Sequence, residues 1–94
     1  VDASRAQLAD LITQMGTVNV FVFNSATWAK GPEDFKDDGE ISWPCLERMT
    51  TVNVAGFVGL TDIMLEHFKK QGHGHIVGIS SVDAMRGSAA FPMY

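Results

Sequence analysis

Two hydroxyl side chains define the chemistry this chain could perform. Ser81 closes the apolar run His75-Ile76-Val77-Gly78-Ile79-Ser80-Ser81, and Tyr94 follows thirteen residues later. A serine at the carboxyl end of a buried strand, with a tyrosine beyond the next loop, can hold a substrate oxygen and hand it a proton. In an open α/β sheet, ligands bind beyond the carboxyl ends of the strands. An unperturbed tyrosine has a pKa of about 10 and is a poor acid at neutral pH. It becomes useful where a nearby cation lowers that value. On position alone the plainer readings are the stronger ones: a strand-end serine is a turn hydroxyl, and a terminal tyrosine is an amphipathic surface residue.

Three further groups belong to the same inventory. Asn53 falls on the apolar stripe of a long helical pattern, where an amide must find partners or cost about 1–3 kcal/mol. A buried amide bonded to neighbouring backbone is the simplest account of it. Asn24-Ser25-Ala26 follows a strand pattern and reads as turn chemistry. Asp2 is a carboxylate that suits an exocyclic amine donor, and it serves equally as an acid near the start of a helix. His67, His73 and His75 lack a carboxylate or cysteine at ligand spacing, so no metal site is expected. Cys45 has no base near it in sequence and reads as a small buried residue.

The elements that must position these groups are legible in the patterning. Ser4-Arg5-Ala6-Gln7 has the form of a capping box, and Leu8, Leu11, Ile12 and Met15 recur at helical spacing before Gly16. A helix is expected over about 4–15. Val18 to Phe23 is rich in β-branched and aromatic residues, which suits a strand buried on both faces of a parallel sheet. Residues 27–41 contain Lys30-Gly31-Pro32 and Asp37-Asp38-Gly39 and are expected to form a surface loop without structure of its own. From Ser42 or Pro44 to Lys70 one long helix is expected, its face traced by Leu46, Met49, Asn53, Phe57, Leu60, Met64 and Phe68. Gly74 to Ser81 is the second strand. The order is a β-α-β unit with a leading helix, which predicts parallel strands joined by a right-handed crossover. Two strands are too few for independent stability, so a larger doubly wound sheet is implied.

Composition excludes several function classes. The 94 residues fit one domain, 1–94. A net charge of −4, with seven scattered Lys and Arg, leaves no footprint for nucleic acid or for an anionic membrane. No apolar run approaches the roughly 18 residues of a membrane span. One cysteine and no signal-peptide pattern agree with a cytoplasmic setting.

Taken together, Asn24-Ser25-Ala26, Asn53-Val54-Ala55-Gly56, the run ending at Ser81, and Tyr94 resemble the middle of a short-chain dehydrogenase/reductase. The resemblance runs from Asp2 through Tyr94. It implies a Rossmann-like α/β domain, NAD or NADP as cofactor, and hydride transfer to or from an alcohol or carbonyl substrate. Ser81 would orient the substrate carbonyl, Tyr94 would give or take the proton, and Asn53 would support a water in the proton relay. Asp2 and Ala3 would meet the adenine, and Asn24, Ser25 and Ala26 would line the adenosine half. Ser25 stands where the family has alanine, and Ala26 where it has glycine. The helix over 42–70 resembles the one that pairs with its symmetry mate in family oligomers, so a homo-oligomer is implied.

The family's Thr-Gly-x-x-x-Gly-x-Gly turn would precede Val1, and the lysine of Tyr-x-x-x-Lys would follow Tyr94. The expectation is therefore a partial dinucleotide-binding domain that neither binds dinucleotide usefully nor turns over substrate as an isolated 94-residue chain. Two rivals stand beside it. One is a non-catalytic dinucleotide-fold binding or interaction protein with a degenerate site, to which Ala26 lends support. The other is a structural product that pairs through exposed strand edges.

Overall fold

The computed structural model describes residues 1–86. By contact these fall into two units. One is built from residues 1–24 and 55–79, the other from residues 25–54 and 80–86.

The first unit contains helix α1 (Asp2–Met15), strand β1 (Val20–Phe23), helix α3 (Phe57–Gln71) and strand β2 (His75–Gly78). The strands are parallel, in the register Val20↔His75 through Phe23↔Gly78. Val18, Met64 and Phe68 are buried together, and Leu8, Ile12, Phe21 and Ile76 close around them. Phe23 meets Phe57 edge-on, with centroids 5.3 Å apart and planes at 73°, the T-shaped geometry that the ring quadrupoles favour. Gln71 clamps the approach to β1: its Oε1 accepts the Val18 amide at 3.0 Å and its Nε2 donates to the Val18 carbonyl at 2.7 Å. Arg5 ties α1 to α3 by donating to the Gly59 carbonyl at 2.6 Å, with the Asp62 carboxylate 3.4 Å away.

Glycine decides two details here. Gly72 ends α3 at φ 90° and ψ −5°, the left-handed region that residues with a Cβ rarely enter. At Gly74 a Cβ would collide with the Phe68 ring, so the bare backbone is what lets that buried ring lie against the chain entering β2.

The second unit holds a 3₁₀ turn (Pro32–Asp34), helix α2 (Trp43–Thr50) and a 3₁₀ turn (Val82–Ala84). Ala29, Cys45 and Met49 are buried together, with Phe35 and Ile41 against them. Ser42 caps α2, its Oγ accepting the Cys45 amide at 3.4 Å. Between α2 and α3 in the chain lies a π-helical segment, Thr51–Gly56.

Several expectations need correction. Helix α1 begins at Asp2, not Ser4, because the Val1 carbonyl takes the Arg5 amide at 2.8 Å. Ser4 therefore lies inside the helix and its capping box does not form. The strands are shorter than the runs 18–23 and 74–81, at four residues each, and Ser81 instead caps the second 3₁₀ turn. Burial is one-sided in β1: Val20 and Val22 are 54% and 51% exposed while Phe23 is buried. The single helix over 42–70 is α2, a π segment and α3, with Asn53 inside the π segment. The 27–41 stretch is ordered by a 3₁₀ turn and an antiparallel bridge between Phe35 and Ile41. Polar side chains, which hydrophobic periodicity does not weigh, supply that order. Among the described residues, no helix is long and apolar enough to cross a membrane.

Candidate functional site

Parallel pairing puts the carboxyl ends of β1 and β2 at one edge of the sheet, where Phe23 faces Gly78. The last rung beyond the named strands is the Ile79 amide donating to the Phe23 carbonyl at 3.0 Å. After it the chain leaves the ladder, and Asn24, Ser25 and Ala26 are all exposed. Backbone and side-chain groups that leave a ladder at this edge are available to a ligand, as open α/β sheets use them. Asp2 and Ala3 lie in the exposed first turn of α1.

In the second unit, Asn53 grips the residue directly after Ala26. Its Oδ1 accepts the Thr27 amide and its Nδ2 donates to the Thr27 carbonyl, each at 2.8 Å. Both polar atoms of the carboxamide are thus satisfied by one residue's backbone, which is how a half-buried amide avoids its desolvation cost. The expected reading of a satisfied amide bonding to backbone is what the geometry displays. Asn53 occupies the π segment, a departure from α-helical winding that recurs at functional sites.

Ser81 is half-buried, and its Oγ accepts the Asp83 amide at 3.2 Å. That bond uses an oxygen lone pair and leaves the hydroxyl proton available as a donor. Tyr94 lies outside the described residues.

Two residues escaped the reading of the sequence. Asp34, only 4% exposed, accepts the Lys30 amide at 2.8 Å and the Gly31 amide at 3.4 Å through Oδ2. Its Oδ1 accepts from Arg48 Nη1 at 3.1 Å, and Arg48 Nη2 lies 3.1 Å from Oδ2. The Lys30 amide, then the Gly31 amide and the Arg48 guanidinium, hold the Asp34 carboxyl below its ordinary value against the opposing effect of burial. Arg48 Nη2 also donates to the Trp28 carbonyl at 3.4 Å. The available signal was Gly31-Pro32-Glu33-Asp34, an acidic residue placed to accept from the amides of its own turn. Nothing in sequence pairs Asp34 with Arg48, fourteen positions away.

The family described as short chain dehydrogenase matches residues 2–94. An uncharacterized short-chain type dehydrogenase/reductase of Sinorhizobium fredii is 26% identical over 82 residues, covering 87% of this chain and 30% of that protein. Among solved structures, a tyrosine-to-phenylalanine variant of ElxO with NADPH bound superposes with a TM-score of 0.76 at 22% identity. That match covers 93% of this chain and 34% of ElxO, and it shows the Rossmann-like α/β fold. The chain thus spans about a third of the length of these relatives. With a family match over nearly its whole length, this chain belongs to the short-chain dehydrogenases.

Proposed function

We propose that the polypeptide carrying this sequence is a nicotinamide-dependent oxidoreductase that interconverts a small-molecule alcohol and its carbonyl. The observation that carries this reading is the family match over residues 2–94, which takes in every candidate site residue.

The residues that would meet a dinucleotide are exposed and carry polar groups. Asn24, Ser25 and Ala26 leave the ladder exposed at the carboxyl edge of the sheet, and Asp2 offers an exposed carboxylate to an amine donor. The NADPH of ElxO supports NAD or NADP as the group held there. When bound, the reduced nicotinamide supplies the hydride that adds to the substrate carbon.

The chain's own residues then divide the remaining work. Ser81 donates its free hydroxyl proton as a hydrogen bond to the substrate oxygen, which fixes the carbonyl's orientation. Tyr94 transfers its phenolic proton to that oxygen as the carbon–oxygen π bond opens, so the product is a neutral alcohol. Asn53 supports the water that returns a proton to the Tyr94 phenolate. Pairing of subunits through the 42–70 region is part of the proposal, supported by Val54, Val58 and Leu65, which are 57%, 60% and 43% exposed.

The second reading, a non-catalytic dinucleotide-fold protein, is favoured by Ala26, where a methyl narrows the approach of backbone and cofactor. One experiment separates the two. The full-length polypeptide is incubated with NADH or NADPH and a panel of aldehydes and ketones, and cofactor oxidation is followed by absorbance. Turnover that falls by a factor on the order of 100 or more in Ser81→Ala and in Tyr94→Phe supports the enzyme. Cofactor binding without turnover across the panel supports the binder.

A further inference from the structure

We propose that Asp34, acting through Arg48, is a positioning residue that holds the Thr27–Gly31 backbone against Asn53. The proposal rests on the reading of Asn53 as a relay residue and deepens it.

The structural basis is a continuous set of tethers. Thr27 is held by the Asn53 carboxamide at both its amide and its carbonyl. The Trp28 carbonyl accepts from Arg48. Ala29 is 4% exposed and packs on Cys45 and Met49. The Lys30 and Gly31 amides are both taken by Asp34 Oδ2. Every residue from 27 to 31 is therefore fixed by a side chain of α2, of the π segment, or by Asp34. The carbonyl of Asp34 also accepts the Ser42 amide at 2.8 Å, which anchors the carboxylate to the cap of α2.

Arg48 is suited to this task by its fork. One guanidinium nitrogen meets Asp34 Oδ1 while the other lies at Oδ2 and also reaches the Trp28 carbonyl. A point charge such as lysine cannot make both contacts in one geometry. Removing the Asp34 charge weakens its hold on the guanidinium, whose Nη2 keeps only the Trp28 carbonyl and the Cys45 sulfur. The short segment between Asp34 and Thr27 is loosened at two of its tethers together, the Lys30 and Gly31 amides. Because Asn53 bonds only to the Thr27 backbone among these residues, a displaced Thr27 displaces the carboxamide with it.

The test uses the full-length polypeptide, with amide hydrogen exchange as the deciding measurement. Asp34→Asn is expected to accelerate exchange at Lys30, Gly31 and Thr27 by about tenfold or more, while amides in β1 and α3 keep their protection. Arg48→Lys, the milder variant, should accelerate Thr27 by a smaller factor and remains informative if Asp34→Asn does not fold. The turnover arm compares Asp34→Asn, Asn53→Ala and the double variant: kcat falls in each single variant with KM for the dinucleotide nearly unchanged, and the double is no worse than Asn53→Ala. Unchanged Thr27 exchange in both variants, or fully additive losses in kcat, overturns the proposal. If Asn53→Ala leaves kcat untouched while Thr27 exchange still accelerates in Asp34→Asn, the relay reading fails and the positioning of the loop stands.

Discussion

The two units of this molecule are held together by different physics. In the first, large side chains do the work: Met64 and Phe68 are buried with Val18, and Phe23 packs edge-on against Phe57. In the second, the buried apolar set is small, namely Ala29, Cys45 and Met49. Order there comes from side chains bonded to backbone: Asn53 to Thr27, Asp34 to Lys30 and Gly31, Ser42 to Cys45, and Ser81 to Asp83. The sheet-bearing unit rests mainly on packing, to which Gln71 and Arg5 add bonds to backbone, whereas the loop-bearing unit rests mainly on such bonds. Most candidate chemistry sits in the latter, where directional bonds place atoms more sharply than apolar contact does.

That contrast can be broken most forcefully in the first unit. Phe68→Ala should cost about 3–5 kcal/mol, because the buried ring leaves a cavity that its neighbours refill only in part. Urea unfolding monitored by circular dichroism measures it. A loss below 1 kcal/mol would mean the ring is not central to that core. Gly74→Ala probes the same contact from the other side, since the added methyl must push the Phe68 ring away. Its expected cost is about 1–3 kcal/mol, the usual penalty for overpacking, and a neutral result would show that the ring can swing clear.

The second unit should respond to the loss of polar groups. Asn53→Ala strands the amide and carbonyl of Thr27, with an expected cost of about 1–3 kcal/mol. Asn53→Asp keeps the acceptor but sets a carboxylate oxygen against the Thr27 carbonyl, so at neutral pH it should cost at least as much as alanine on the same unfolding curve. Asp34 adds a pH dependence whose sign follows from its depressed pKa. The carboxylate contributes stability that is fully present above the ordinary aspartate value of about 3.9 and is lost as pH falls through the lower folded value. The stability gap between wild type and Asp34→Asn should therefore be constant from neutral pH down to about 4 and close below it. A gap that closes above pH 5 instead would assign the titration to another group.

The smallest effect is expected where both units are indifferent. Glu66 and Lys70 lie 3.4 Å apart on the surface of α3, at 70% and 75% side-chain exposure. Breaking this pair with Lys70→Ala should move stability by no more than about 0.5 kcal/mol, and less in high salt.

What the amino-acid pattern makes legible follows the same division. Helical spacing sets Met64 and Phe68 on a common stripe, and both are buried. The two strand runs were legible from β-branched and aromatic residues, although pairing trimmed each to four residues. Asn53 was recognisable as an amide in need of partners, because a polar group on an apolar stripe is conspicuous. The structure of 27–41 was not legible. Its order depends on Asp34 meeting Arg48 and on Phe35 bridging Ile41, and nothing periodic announces such pairings.

By itself, then, the sequence determined the α/β class, the parallel β-α-β order and the membership in a dehydrogenase family, because these rest on periodicity and on motif order along the chain. Only the tertiary structure decided that Ser81 caps a 3₁₀ turn, that Asn53 sits in a π segment holding Thr27, and that Asp34 and Arg48 secure the loop between. The reason is physical. Apolar burial is summed over many residues and leaves a repeating signature. A hydrogen bond between two groups distant in sequence depends on one distance and one angle, which exist only once the chain has folded.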